Sequence, residues 1–268
     1  MQKREAWDNL VIQRLMVGAR IPGLDWRDGA AAFCSAGLLA AFVLLPGAGD
    51  PTLPDLAPLP PQERKVEFFD FLAPIVTQIN RQVLLSRERL LEIVGRTQEG
   101  RPLRWRDRRY LRNLAERYDV AMDDGGPEAV LQVLDRRVDI VPESLALVQA
   151  AKESGWGTSR FAREGNNLFG QRCYEPGCGI RPRDAAPDGR FGLARYESVY
   201  ASVRDYVLNL NTHPEYFDFR SLRQSLRRQN EPLSGIALAD GLGSYSERGA
   251  AYVTEIKALI RQNELEAP

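Results

Sequence analysis

One carboxylate in this sequence stands where a catalytic acid can act. Glu153 follows residues 142–152, which open with proline and glutamate and continue with leucine, alanine and valine, so the pattern predicts a largely buried helix ending near Glu153. The negative end of the helix dipole, together with desolvation beside Trp156, disfavours the ionised carboxylate and raises its pKa. A general acid needs a raised pKa at neutral pH. Gly155 and Gly157 end the helix and leave room for a substrate.

The residues around and after this turn resemble a known family. The runs ESGWGTS (153–159) and GNNLFG (165–170) resemble the signature of bacterial N-acetylglucosaminidases that cleave peptidoglycan. Residues 147–182 and the run NLNTHPEY (209–216) are similar to the Bax-like branch of that family in Gram-negative bacteria. The resemblance covers residues 63–261.

The resemblance implies both a fold and a site. Such domains have a lysozyme-like α+β fold, so the resemblance implies a mainly helical body, a small β-hairpin lobe and a glycosidase cleft between them. Glu153 would protonate the leaving oxygen of the glycosidic bond. Tyr245 matches a tyrosine that reaches the active site in the family, although Glu247 and Arg248 depart from the usual pattern. The residues expected to line the sugar subsites are Trp156, Asn167, Phe169, Gln171 and Tyr245.

A structural interpretation of these residues stands beside the catalytic one. The turn after Glu153 can be a capped helix end with a buried tryptophan, because structural ion pairs also perturb carboxylates. Likewise, Tyr245 and Tyr252 can be helix-packing residues.

Glycoside hydrolysis usually needs a second carboxylate, and the sequence does not identify it. The candidates are Glu175, Asp184, Asp188 and Glu197. We choose Glu197, at the end of a predicted hairpin, although an exposed salt-bridging role is the alternative. A substrate whose own N-acetyl group assists the reaction would need no protein nucleophile.

Composition excludes several other classes of protein. The 268 residues carry 36 basic and 36 acidic side chains, which argues against a nucleic-acid partner. The single histidine, His213, has no nearby nucleophile signature and is interpreted as structural. Cys173 and Cys178 have no further His or Cys nearby, so we expect no metal and no other cofactor. Their spacing suits a disulfide in an oxidising compartment, with a reduced pair as the alternative.

The N-terminus predicts a location. Residues 1–28 hold several basic side chains, and residues 29–49 are uncharged and mostly apolar, as in a signal-anchor or signal peptide; a buried core helix is the alternative. The positive-inside rule places residues 1–28 in the cytoplasm and the rest in the periplasm, anchored to the inner membrane. The prolines of residues 50–62 then predict an extended spacer.

The rest of the chain reads as mainly helical. Residues 63–138 have helical spacing, with Pro74 as a kink. The family resemblance implies that they form a helical extension to a glucosaminidase domain of residues 139–265. Residues 179–182 and 190–196 read as a small β-hairpin, and a helix resumes over residues 199–210.

The predicted function is hydrolysis of the β-1,4 bond after N-acetylglucosamine in peptidoglycan glycan strands, an endo-β-N-acetylglucosaminidase activity with Glu153 as general acid. Two alternatives stay open. A lytic transglycosylase also uses one glutamate but cuts after N-acetylmuramic acid and leaves an anhydro end. A catalytically inactive wall-binding module would bind peptidoglycan without cutting it.

Overall fold

The structure is a computed structural model that describes residues 51–122, 126–175, 177–182 and 191–266. The predicted cytoplasmic segment, the hydrophobic N-terminal helix, and the candidate carboxylates Asp184 and Asp188 therefore lie outside the described residues. Within those described ranges, none of the helices has the length and apolar character needed to cross a membrane.

Helices dominate the described residues, and a small antiparallel sheet completes a mainly helical α+β architecture. The helices are α1 (Pro61–Gln98), α2 (Trp105–Arg117), α3 (Gly126–Arg137), α4 (Glu143–Ser154), α5 (Arg160–Gly165), α6 (Val199–Thr212), α7 (Phe217–Arg228), α8 (Gly235–Leu238) and α9 (Ala250–Gln262). Short 3₁₀ helices lie at Pro214–Tyr216 and Ala239–Leu242. The strands are β1 (Arg172–Cys173), β2 (Gly179–Ile180) and β3 (Gly192–Ala194).

Helix α4 lies at the centre of the main hydrophobic core. Its run of leucine, alanine and valine is buried on nearly every face, because α1 and α9 pack against it. Phe68, Leu72 and Val76 come from α1, and Ile256 and Ile260 come from α9; all five are fully buried. The helix that carries Glu153 is therefore held on several sides by apolar contacts, each buried side chain contributing on the order of 2 kcal/mol.

Helix α1 joins this core to a second one. Leu90 and Ile93 in its C-terminal half pack with Leu111 of α2 and Leu134 of α3. The predicted kink does not interrupt it, since α1 continues through Pro74 as one helix. Helix α1 therefore belongs almost wholly to the predicted extension, yet its N-terminal half packs in the core around α4.

A buried charged cluster ties α1 and α7 to the chain between α3 and α4. The carboxylate of Asp139 accepts hydrogen bonds from Arg227 at 2.8 and 3.0 Å, and Arg87 Nε lies 3.5 Å away. Arg223 is fully buried and donates to the main-chain oxygens of Asp139 and Ile140 at 3.2 and 2.7 Å. We call Asp139, Arg87, Arg223 and Arg227 the charged cluster.

The proline-rich segment differs from the extended spacer that the sequence predicts. Leu56 is 1% exposed and belongs to the main core. Arg64 holds the segment by donating to the main-chain oxygens of Leu56 at 3.0 Å and Leu59 at 2.8 Å. A Cβ on Gly157 would lie 3.0 Å from Leu56 Cδ1, so the segment packs on the turn after Glu153. The prolines make the segment stiff, but the leucines between them anchor it.

The small sheet confirms the predicted hairpin and adds a strand to it. β3 lies between β1 and β2 and pairs antiparallel with both. Gly179 is required in β2, because a Cβ there would lie 2.1 Å from the main-chain oxygen of Leu193. Cys173 and Cys178 form the disulfide considered from their spacing, which links β1 to the loop before β2.

Candidate active site

Glu153 lies on the last turn of α4, as the sequence predicts. Gly155 ends the helix in the left-handed region (φ 58°), and Trp156 follows with φ 59°, an uncommon value for a bulky residue. The buried Ser154 hydroxyl accepts a hydrogen bond from Gly157 N at 2.8 Å. Ser159 caps the start of α5, where its hydroxyl accepts from Ala162 N. These bonds fix the turn that follows the carboxylate.

A chain of neutral side chains positions Glu153 from behind. The Tyr206 hydroxyl donates to Gln149 Oε1 at 2.6 Å, and Gln149 Nε2 donates to the Tyr252 hydroxyl at 3.0 Å. Tyr252 in turn donates to Glu153 Oε1 at 3.1 Å. Gln149 and both tyrosines are at most 1% exposed. Because each donor is used once, the direction of every bond is set, and we call this series the tyrosine–glutamine chain.

Two aromatic stacks support this chain. Phe169 stacks on Tyr206 with ring centroids 3.8 Å apart and planes 8° apart. Tyr245 stacks on Tyr252 at 5.4 Å and 15°. The Tyr245 hydroxyl also donates to the main-chain oxygen of Phe169 at 3.4 Å. The GNNLFG segment, α6 and the C-terminal helix therefore meet at Glu153.

The pKa of Glu153 is raised. Desolvation by the surrounding protein is the largest cause; the Tyr252 hydrogen bond and the Lys152 charge lower the pKa and offset part of the effect, while Glu255 raises it further. Glu153 is nevertheless exposed to solvent. Glu153 Oε2 forms no hydrogen bond to a described residue. Its environment thus favours a protonated carboxyl group with one oxygen available to a ligand.

Glu153 opens into a cleft of about 710 Å³. Phe169, Gln171 and Tyr245 line this cleft as predicted, and so does Asp205, which the sequence did not single out. Asp205 Oδ2 accepts hydrogen bonds from Gln171 Nε2 and from the Tyr196 hydroxyl, both at 2.6 Å. Besides Glu153, the described lining holds the carboxylates of Asp205, Glu215 and Glu247, and two side-chain hydrogen bonds fix that of Asp205.

Trp156 is not among the described residues that line the cleft. Its positive φ turns the side chain towards α1, where it packs edge-on against Phe69 at 5.2 Å and Phe68 at 6.1 Å between ring centroids. Lys65 Nζ lies 5.1 Å from its ring centroid. The aromatic side chains that line the cleft with Glu153 are instead Phe169 and several tyrosines.

Asn167 also has a different environment from the one expected. It is 2% exposed and bonds to main-chain atoms, donating to the oxygens of Gln171 at 2.9 Å and Ala194 at 3.0 Å. Its Oδ1 accepts from Gln171 N at 3.1 Å. Asn167 thus holds the segment that presents Phe169 and Gln171, and does not itself line the cleft among the described residues.

The predicted second carboxylate is not in the cleft either. Glu197 and Glu175 are exposed, and neither belongs to the described residues of the cleft lining. Glu197 precedes the Ser198 cap of α6, and the turn places it on the outer surface. His213, by contrast, lines the cleft. Its Nδ1 accepts a hydrogen bond from Glu215 N at 3.4 Å.

Comparisons with known proteins identify the family of the chain. Residues 129–265 match the family model described as mannosyl-glycoprotein endo-beta-N-acetylglucosaminidase, abbreviated Glucosaminidase. The chain belongs to the Glucosaminidase family. It is also 35% identical over 216 residues to Protein bax of Escherichia coli (strain K12), a match covering 80% of this chain and 75% of that protein. The resemblance to the Bax-like branch is thereby confirmed. No solved structure matches the chain.

The family match begins within α3, so it includes Glu153 and all the tyrosines around it. Tyr206, Tyr252 and Gln149 were nevertheless missed as site residues. Their sequence signal is the same as that of core residues, and only Gln149 has a local clue: it lies four residues before Glu153, on the same face of α4.

Proposed function

We propose that this protein hydrolyses the β-1,4 bond after N-acetylglucosamine in peptidoglycan glycan strands, with Glu153 as the general acid. The family supports a glycoside hydrolase. The observation that supports the finer assignment is the state of the Glu153 carboxyl group: Tyr252 donates to Oε1, the residue lines the cleft, and its pKa is raised.

The hydrogen bonds support a proton on one particular oxygen of Glu153. Gln149 Nε2 occupies an acceptor site of the Tyr252 hydroxyl, so the hydroxyl hydrogen points to Glu153 Oε1. The acidic proton of Glu153 therefore resides on Oε2. From there it passes to the glycosidic oxygen as the bond to the anomeric carbon breaks, and a water molecule completes the hydrolysis.

A carboxylate of the cleft or the substrate itself can direct that water molecule. The acetamido group of the substrate assists without any protein nucleophile. Among the carboxylates we propose Asp205, whose Oδ2 accepts from Gln171 and Tyr196 while its Oδ1 has no hydrogen bond from a described residue. Replacement by asparagine tests it: full activity of Asp205→Asn removes Asp205 from the mechanism, and a loss of two or more orders of magnitude assigns the role to it.

The proposed location is the periplasm, with the chain anchored to the inner membrane by residues 29–49. The uncharged apolar run and the basic residues that precede it support this proposal. Membrane fractionation and protease treatment of spheroplasts test it. A chain protected from external protease would contradict it.

The direct test of the activity compares products. The purified full chain and its Glu153→Gln variant are incubated with sacculi, and the released fragments are reduced with borohydride and analysed by mass spectrometry. We expect reduced N-acetylglucosamine ends from the wild type only. Anhydro-muramic ends would identify a transglycosylase, and binding without release would identify a wall-binding module.

A further inference from the structure

A second pocket adjoins the cleft on the far side of Asp205. It encloses about 500 Å³ between α1, α2 and α6, and Asp205 and Leu208 line both spaces. Tyr196 reaches Asp205 Oδ2 from the pocket side, and Gln171 reaches the same oxygen from the cleft side. The two spaces are therefore neighbours separated by one carboxylate. Its position beside two cationic side chains leads us to call it the arginine pocket.

Arg117 of α2 and Arg204 of α6 line the arginine pocket, and both are exposed. Neither forms an ion pair with a described residue, in contrast to Arg87, which is paired with Asp135 and Asp139. With Asp205 as the one carboxylate in its lining, the pocket has two positive groups against one negative group. An anionic ligand suits it, because guanidinium groups bind carboxylates with charge-assisted hydrogen bonds.

The floor of the pocket offers complementary groups. Asn211 is fully buried and lines it; its Nδ2 donates to the main-chain oxygen of Asp139, while its Oδ1 has no partner in the described part of the chain. A buried acceptor without a partner is costly unless a ligand donor or water satisfies it. Ile79, Val83 and Val207 add apolar surface beside it. Carboxylate-binding arginines, an amide acceptor and apolar surface together fit a short acidic peptide.

We propose that the arginine pocket binds the peptide stem of the glycan strand. This inference rests on the proposed function, because the sugar next to N-acetylglucosamine in peptidoglycan is N-acetylmuramic acid, which carries a peptide through its lactyl group. With the glycan in the cleft beside Glu153, the stem passes Asp205, and its carboxylates meet Arg117 and Arg204. The helical extension thereby confers a preference for peptide-bearing over peptide-free strands.

The test measures binding in the Glu153→Gln background, so that cleavage does not interfere. Soluble glycan strands are prepared with their peptides intact or removed by an amidase, and the affinity of the full chain for each is measured. We expect Arg117→Ala to weaken binding of peptide-bearing strands about tenfold, and the Arg117→Ala/Arg204→Ala pair to weaken it further. Binding of peptide-free strands should remain unchanged.

Arg112→Ala is the matched control, since Arg112 is exposed on the same helix but does not line the pocket. Thermal unfolding of each variant checks the fold, and Arg117→Gln provides a milder replacement. Equal affinity of the wild-type sequence for both strands, or equal losses on both strands in the arginine variants, overturns the proposal.

Failure of the proposed function is recognised separately. It appears as absence of cleavage by the protein with Glu153 intact, whereas the peptide preference is read from binding alone. If the protein binds peptide-bearing strands through Arg117 but cuts neither substrate, the arginine-pocket proposal stands and the hydrolase proposal fails.

Discussion

Two of the buried polar networks in the described part of the chain differ in what lies at their ends. The charged cluster consists of full charges that satisfy one another, with Asp139 surrounded by Arg87, Arg223 and Arg227. The tyrosine–glutamine chain consists of neutral groups and ends at Glu153, a carboxyl group that lines the cleft.

The effects on pKa are opposite. Burial disfavours ionisation of Asp139, but the Arg227 hydrogen bonds and the charges of Arg223 and Arg87 outweigh it and lower the pKa. Burial also disfavours ionisation of Glu153, and there the offsetting interactions are too weak, so its pKa is raised. The closed charged network thus favours the ionised carboxylate of Asp139, whereas the neutral network leaves Glu153 with a raised pKa, as the proposed general acid requires.

The largest expected effect is on catalysis. Glu153→Gln keeps the shape of the side chain but removes its proton, so we expect the rate of glycan cleavage to fall by about 10²–10⁴-fold while the protein stays folded. Glu164→Gln, an exposed residue on α5, is the control and should retain full activity. A Glu153→Gln rate within a few-fold of the wild type would remove Glu153 from the mechanism.

The opposite result is expected for the charged cluster. Asp139→Asn leaves three arginines without their buried counter-charge, so we expect the free energy of unfolding to fall by about 3–5 kcal/mol in denaturant titrations. The activity of the protein that remains folded should be unchanged. Asp135→Asn, at a more exposed ion pair with Arg87, should cost about 1 kcal/mol or less. Similar losses for both variants would contradict the importance given to burial.

A smaller effect should appear in the pH dependence. The Tyr252 hydrogen bond lowers the pKa of Glu153, so Tyr252→Phe should raise that pKa further. Because the reaction needs the protonated acid, activity declines as pH rises through this pKa, and the decline should begin at a higher pH in the variant. Tyr200→Phe, which removes a hydroxyl bonded to Gln82, should leave the profile unshifted. An unshifted pH profile in Tyr252→Phe would mean that Tyr252 does not influence the pKa of Glu153.

The smallest effect is on stability at neutral pH. A carboxyl group whose pKa rises on folding stabilises the protein while protonated, and that contribution is lost as pH rises through the folded-state pKa. Glutamine avoids this loss. Glu153→Gln should therefore unfold at a slightly higher temperature than the wild type at pH 7, with a smaller difference at pH 4. A larger advantage at pH 4 would reverse the sign of the assigned pKa shift.

Local sequence signals were sufficient to predict that Glu153 lies at the end of a buried helix. The apolar run before Glu153, the glycine after it and the Ser159 cap act within a few residues, so their geometry follows from the chain itself. The hairpin was predictable for the same reason. Strand β1 was not predicted, because it joins the sheet through a partner distant in sequence, with Arg172 opposite Leu193.

Long-range contacts account for what the sequence did not reveal. Tyr252 lies 99 residues from the carboxyl group that it binds, and its spacing is that of an ordinary core residue. Trp156 was expected in the cleft because the sequence does not show that its backbone adopts a positive φ. The sequence pointed to Glu197 and not to Asp205. Only the folded chain shows that α6, rather than the end of the hairpin, contributes a carboxylate to the cleft.

The contact between Leu56 and the Gly157 turn has a mechanical consequence. Tension applied to the chain ahead of Leu53 would be resisted first by this hydrophobic contact and by the hydrogen bonds of Arg64. The turn pulled on is the one that immediately follows Glu153. Displacing Leu56 would therefore remove an apolar contact from the turn beside Glu153, so the packing of the proline-rich segment and the position of this carboxyl group are mechanically linked.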